Sequence, residues 1–271
     1  MISRGIEIAA NGMKSLIDFQ DTIAHNLANV NTTGYKKESL SFRSVYNAMV
    51  SEPEKLNDYK YRTGRDVGRV SMGSESNKLV HEFIQGALVK TGLPLDLAIE
   101  GDGLFKVQNS KGEIAYTRNG SFTIDSRHRL INHEGELVLD VEDKPIVLNI
   151  RALGVSTANE LTVNEDGQIG IAKAEGSRLL QKIAIYDFSN KEDMLALGHA
   201  KYYPKDLEMN PVLKAEKFTL QQGYLEASNS NVVNEMINSI NVSRNYETLS
   251  KFVKEKASHI TAAINIGRLR Q

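Results

Sequence analysis

Apolar residues recur at alternating four- and three-residue steps through the start of the chain. They are Ile2, Ile6, Ala9, Met13, Leu16, Ile23 and Leu27, with Gln20 the one polar member of the series. This spacing predicts an amphipathic helix carrying a heptad stripe. Gly5 and Gly12 weaken it by about 1 kcal/mol each relative to alanine. The pattern stops at Asn29-Val30-Asn31-Thr32-Thr33-Gly34, a cluster of turn formers ending in a glycine suited to positive φ.

Residues 36–84 follow as a connector. Pro53, Gly64, Gly68 and Gly73 break it up, so an extended segment with short strands at most is expected. Residues 85–227 read as β. Leu95-Asp96-Leu97-Ala98-Ile99 alternates, Asp102-Gly103 closes a turn, and Leu104–Val107 and Ile114–Arg118 follow. Asn119-Gly120 is then a strong hairpin signal. Phe122–Ile124, Leu137–Leu139 and Ile146–Leu148 continue the series. Leu161–Asn164, Asp166-Gly167 and Ile169–Ile171 form a second hairpin candidate, and Leu179–Phe188 a longer strand. Short strands divided by turn residues, without βαβ alternation, predict an antiparallel β domain.

From about Ser228 the pattern is helical again, in two parts. Val233, Met236, Ile237 and Ile240 mark one apolar face. Val242, Tyr246, Leu249, Val253, Ile260 and Ala263 mark another, roughly 100–180° around the helix, with Lys256 interrupting. A helix with two apolar faces needs two neighbours. Asn231, Asn234, Asn238, Asn241 and Asn245 recur at three- and four-residue steps and share a further face. Asparagine is a mediocre helix former, so this stripe calls for a use.

The predicted fold is therefore α+β. Residues 1–35 and 228–271 make a discontinuous helical domain, their stripes paired in the manner of a coiled coil. Residues 36–84 are the connector and 85–227 the outer β-rich domain. Neither end helix can bury its stripe alone, so Ile2, Ile6, Met13, Leu16, Ile23, Leu27, Val233, Met236, Ile240, Tyr246, Leu249, Val253 and Ile260 are the candidate assembly residues.

Composition narrows the chemistry. The 271 residues carry 33 Lys+Arg against 34 Asp+Glu, a net charge of −1, which speaks against a general nucleic-acid binder. With no cysteine there is no disulfide, thiolate metal site or cysteine nucleophile. Glu7, Asn11, Lys14 and Asp18 interrupt what would be the apolar core of a signal peptide. The expectation is a cytoplasmic chain, or one exported by a route that needs no cleaved signal.

Catalytic signatures are weak. Gly101-Asp102-Gly103 begins a dinucleotide pattern, but Lys106 stands at the third glycine position and a strand follows. Of six histidines, His128 and His133 cluster with Glu134, a spacing with no third strong metal ligand. Lys36-Lys37 and Arg62–Arg65 stand among tyrosines, yet Glu54, Asp58 and Asp66 cancel much of their charge. No cofactor, nucleic acid or small-molecule substrate is expected.

Ile23-Ala24-His25-Asn26-Leu27-Ala28-Asn29-Val30-Asn31-Thr32-Thr33-Gly34-Tyr35-Lys36 resembles the signature of the flagellar axial proteins, the rod and hook family of the bacterial basal body. Within it Asn26, Leu27, Ala28, Asn29, Thr33, Gly34 and Tyr35 are the motif residues. Pro94–Phe105, Tyr116–Phe122, Gln222–Val232 and Arg244–Glu247 are similar to further family segments, in the family's order. The resemblance is strongest to rod proteins of the distal type. Hook proteins usually carry additional outer domains, for which this chain has no room. His25 departs from the Asn or Ser common at that place.

The resemblance implies a structural subunit, not an enzyme. It implies export through the flagellar type III apparatus without a cleaved signal, and head-to-tail self-assembly into a hollow helical tube. That tube transmits torque beside other rod and hook proteins. Asn231, Asn234, Asn238, Asn241 and Asn245 are then candidates for the channel lining, with hydrogen bonding between packed helices the competing reading. The end helices are expected to fold only on docking. A hook-type or accessory rod protein is the alternative within the family. A wall-acting hydrolase and a surface adhesin with helical ends are the alternatives outside it.

Overall fold

The computed structural model describes residues 2–44, 47–49, 69–71, 74–149, 160–173, 176–206, 208–215 and 217–268. They fall into two compact units. One is drawn from Met1–His25, Leu40–Leu79 and Val233–Gln271, the other from Asn26–Ser39 and Val80–Val232. Two helices and a middle of antiparallel strands make the class α+β. No described helix is long and apolar enough to cross a membrane.

The first unit holds most of α1 (Ile2–Ala28) and α2 (Val232–Arg268). The two helices meet in antiparallel sense. Gln20 Nε2 donates to Ser239 Oγ at 2.9 Å, whereas Gly12, two turns earlier on α1, faces Leu249, further along α2. A Cβ on Gly12 would stand 3.4 Å from Leu249 Cδ1, an ordinary packing contact. Leu16, Ile17 and Gln20 share a groove with Val242, Ser243, Tyr246 and Glu247. β2 (Asn47–Met49) and β3 (Arg69–Ser71) lie in this unit, as do β1 (Glu38–Ser44) from Leu40 on and β4 (Ser74–His81) up to Leu79; β1 pairs with β4 and β2 with β3. β1 and β4, at 7 and 8 residues, exceed the short strands expected of the connector. Pro53, Gly64, Gly68 and Gly73, on which that expectation rested, lie outside the described residues.

The second unit carries β5 (Leu88–Lys90), β6 (Leu97–Gly101), β7 (Leu104–Gln108), β8 (Ile114–Thr117), β9 (Phe122–Ile124), β10 (Leu130–Asn132), β11 (Leu137–Val138), β12 (Leu161–Val163), β13 (Gln168–Lys173) and β14 (Gly176–Lys182). It continues with β15 (Ile185–Phe188), β16 (Met194–Gly198), β17 (Lys201–Pro204), β18 (Val212–Lys214), β19 (Phe218–Gln222) and β20 (Tyr224–Glu226). The largest sheet runs β16-β17-β8-β7-β11-β10-β9, with β15 also on β7 and β18 on β15. β12-β13-β14 form a second sheet, while β19 pairs β6 and β20 pairs β5. Strand periodicity divides the core in two. On β7, Phe105 and Val107 enter one cluster with Leu97, Ile99, Val138 and Ile185; Leu104 enters the other with Tyr116, Tyr186, Phe188, Met194 and Tyr202.

Several local expectations change. Asn119-Gly120 does not close a hairpin: β8 pairs with β7 and β17, and β9 pairs with β10. Asn119 Oδ1 instead accepts from Ser121 N, and a Cβ on Gly120 would meet Leu97 O at 1.7 Å. The pair is a close backbone crossing. Leu179–Phe188 is not one strand, because Ile183 N turns to Gly167 O and Ala184 N to Leu139 O, which divides β14 from β15. Ile146–Leu148 forms one isolated bridge, Val147 to Arg129, between buried Ile146 and Leu148 rather than a strand. The hairpin through Asp166-Gly167 is present as the β12–β13 pair. α2 starts at Val232, later than Ser228, because Ser228 and Asn229 spend their side chains on backbone groups.

Candidate functional site

Two features stand out, a buried polar joint in the second unit and the exposed flank of α2 in the first. The joint is built from the motif that follows α1. Asn26 Oδ1 accepts from Glu38 N at 2.8 Å and from Tyr35 OH at 3.1 Å, while its Nδ2 donates to Glu38 O at 2.8 Å. One amide thus clamps the backbone twelve residues on. Gly34 adopts φ 68°, and a Cβ there would lie 2.4 Å from Asn119 N, so both conformation and space demand glycine. Its N–H donates to Glu226 O at 2.8 Å.

Glu226, at the end of β20, is the centre. Its side chain has no exposure. Oε1 accepts from Lys36 Nζ at 2.7 Å and from Gly86 N at 2.8 Å, and Oε2 lies 2.9 Å from Arg118 Nε. Further donors of both cations reach carbonyls. Lys36 Nζ donates to Ile84 O, Arg118 Nη1 to Gly103 O and Nη2 to Gly101 O. Burial lowers the Lys36 and Arg118 pKa values, and the Glu226 charge pulls both back up. Pairing both cations with one carboxylate and with backbone carbonyls offsets much of the cost of burying them.

Neighbours close the joint. Tyr202 OH accepts from Lys36 N at 3.0 Å, and burial raises its phenol pKa. His81 packs edge-on against Tyr202 at 5.2 Å. Burial lowers the His81 pKa against the opposing pull of its bond to the Lys36 backbone, and its Nδ1 has no hydrogen-bond partner among the described residues. Asn229 Oδ1 accepts from Lys37 N at 2.6 Å, and its Nδ2 donates to Glu82 O at 2.7 Å. The arrangement holds chain segments together.

The candidate residues divide by environment. Asn26, Gly34 and Tyr35 are buried, Leu27, Asn29 and Thr33 half-buried, and Ala28 exposed. On α1, Ile23 is buried, and Ile6, Met13 and Leu16 are half-buried; the Ile2 side chain lies outside the described residues. On α2, Val242 is 5% exposed, and Leu249, Val253 and Ile260 are half-buried. Tyr246 is exposed beside the groove, and the Ala263 side chain lies outside the described residues. The other face is open: Val233 is 63% exposed, Met236 50%, Ile237 51% and Ile240 52%. Asn231 precedes the helix; Asn234, Asn241 and Asn245 are exposed and Asn238 half-buried. His133 Nε2 bonds Ser121 Oγ, and no three His, Asp or Glu of the described residues gather as metal ligands.

Three family models match the chain. Residues 6–36 match the flagella basal body rod protein model, 98–171 the flagellar hook protein FlgE/F/G D1 domain, and 221–265 the C-terminal model of the flagellar basal body rod FlgEFG proteins. The flagellar basal-body rod protein FlgG of Borreliella burgdorferi is 31% identical over 273 residues, 98% of this chain and 99% of that one. FlgG of Buchnera aphidicola is 30% identical over 258 residues, covering 91% and 93%. The chain belongs to the flagellar basal-body rod protein family. A rod protein FlgF, from Mesorhizobium japonicum, is 30% identical over 257 residues, 95% of each chain. The rod-family chain is a structural subunit of the basal body and not an enzyme.

The sequence did not single out Arg118, Glu226, Tyr202 or Asn229, and Lys36 stood out there as part of a basic surface and as the last residue of the family signature. A signal was present. Lys36, Arg118 and Glu226 each stand within three residues of a glycine inside a family-like segment.

Proposed function

We propose that this rod subunit polymerises head to tail into a hollow tube in the basal body, beside other rod and hook proteins, and that residues 1–35 and 228–271 form its polymerisation domain. The supporting observation is the two-sidedness of α2. Val242 is buried beside α1, while Val233, Met236, Ile237 and Ile240, on the opposite side at about 100° per residue, stand half or more exposed. Four large apolar side chains on one face are a surface awaiting a partner. Burying each stabilises the contact by about 1.5–3 kcal/mol, and repetition at every lattice step holds the tube. The contact is heterologous, because only a non-closing interface extends indefinitely.

Within the subunit, the stripe from Ile2 to Leu27 packs on the face from Val242 to Ala263 in the manner of a coiled coil. From Ser243 to Ala262 no described side chain of α2 is buried. Helices owe most of their stability to tertiary packing, so the ends of the free subunit order fully only on docking. This keeps the chain threadable through the export apparatus, without a cleaved signal. Substituting Ile240→Asp should block incorporation and leave the β unit folded; incorporation of the variant at the parent level would remove this face from the interface.

The distal, FlgG-like position is the favoured one. The match to FlgF of Mesorhizobium japonicum, at similar identity and coverage, supports an FlgF-type place as the second reading.

A further inference from the structure

The β-rich unit carries an apolar knob and an apolar recess of matching charge. Met209 is the most exposed of the large hydrophobic residues described, at 84%. Its described neighbours are tied by hydrogen bonds. The next residue, Asn210, is 2% exposed; its Oδ1 accepts from Asn190 N at 3.1 Å and its Nδ2 donates to Asn190 O at 2.7 Å. Before it, Asp206 Oδ1 accepts from Glu208 N at 2.9 Å, and Asn210 N donates to Asp206 O at 3.0 Å. The hydrogen bonds on both sides hold the methionine outward, flanked by the exposed carboxylates of Asp206 and Glu208.

Elsewhere in the same unit a cavity of about 180 Å³ opens among Val141, the segment 183–186, Ala215 and Phe218, with the exposed Lys182 and Lys214 also in its lining. A cavity of about 150 Å³ admits a benzene-sized apolar group, so this one has room for a methionine side chain. Methionine is suited to such a recess, since its flexible thioether fills irregular space and packs well against aromatic rings such as Tyr186 and Phe218. Asp206 and Glu208 on the knob are opposite in charge to Lys182 and Lys214 on the recess.

We infer that the Met209 loop of one subunit seats in the Val141–Phe218 recess of a second copy of the same chain, as a contact between β units additional to the helical one. An exposed apolar group complementary to a pre-existing pocket elsewhere on the same molecule makes a heterologous contact that propagates. The inference rests on the polymer reading above and deepens it by naming a second interface.

The chain contains no cysteine, so cross-linking has no background. Met209→Cys and Lys214→Cys are introduced singly and together, and rods isolated from cells making each variant are oxidised. The double variant is expected to give a ladder of disulfide-linked multimers, with each single variant giving dimers at most. Met209→Asp is expected to lower incorporation about tenfold or more. Rods that contain the double variant but show no ladder, or Met209→Asp incorporating at the parent level, would overturn the inference and leave the rod reading standing. Absence of the parent chain from isolated rods would overturn both.

Discussion

Lys36 Nζ lies 2.7 Å from Glu226 Oε1, and neither side chain reaches solvent. The two residues stand 190 positions apart. Their contact fastens the segment after the first helix to the strand before the last one. With Arg118 as a third member, the pair forms a joint that carries two cations on one carboxylate.

Removing that carboxylate leaves two buried cations without the one carboxylate that touches both, Asp102 and Asp187 still acting on Arg118. Glu226→Gln should therefore cost about 3–5 kcal/mol, the usual penalty for breaking a buried ion pair from one side. Denaturant unfolding of the full chain, followed by a probe in the β unit, measures it. A loss below about 1 kcal/mol would mean that water reaches the joint.

Gly34→Ala should destabilise the same unit. The substitution places a Cβ 2.4 Å from Asn119 N at φ 68°, combining left-handed strain with a backbone clash. Strain of this kind costs on the order of 1–3 kcal/mol before the clash is counted. Thermal unfolding of the variant beside the parent tests it, with an unchanged midpoint as the contrary result.

His81 makes the joint sensitive to acid. Burial holds its pKa below 6.5 in the folded chain, while the unfolded chain keeps the ordinary value. Below pH 6.5 the unfolded state therefore binds more protons, and stability falls as pH falls, by at most about 1.4 kcal/mol per pH unit from this residue. His81→Gln should flatten that part of the curve. The parent and variant unfolding midpoints, compared between about pH 7 and about pH 5, decide the point; parallel curves would acquit His81.

The asparagine stripe allows a test of the channel reading. If Asn238 and Asn241 face the lumen, replacing both with leucine should slow export of later subunits without blocking assembly. Defective assembly with normal export kinetics would assign them to helix packing instead.

What the sequence revealed followed the range of the interactions. The heptad stripe from Ile6 to Leu27 and the two faces of α2 are local patterns, and the helices form where those patterns run. Asp166-Gly167 closes its hairpin because its flanking strands pair with each other. Asn119-Gly120 carries a similar signal and does not, because β8 finds longer partners in β7 and β17, and the backbone of Leu97 passes where a side chain would stand. The joint lay beyond local reading for the same reason. Asn26, Gly34 and Tyr35 were recognisable as a motif, but Glu226, Arg118 and Tyr202 reach it from distant strands, a meeting no periodicity encodes.

Hydrogen exchange compared between the free subunit and the assembled rod, peptide by peptide, bears on whether α2 is an assembly helix. Residues 232–268 should exchange fast in the free subunit and become protected on assembly, with the strongest gain around Val233–Ile240, while the β unit stays protected in both states. Equal protection of that helix in the two states would contradict the account, because its apolar face would then have gained no partner.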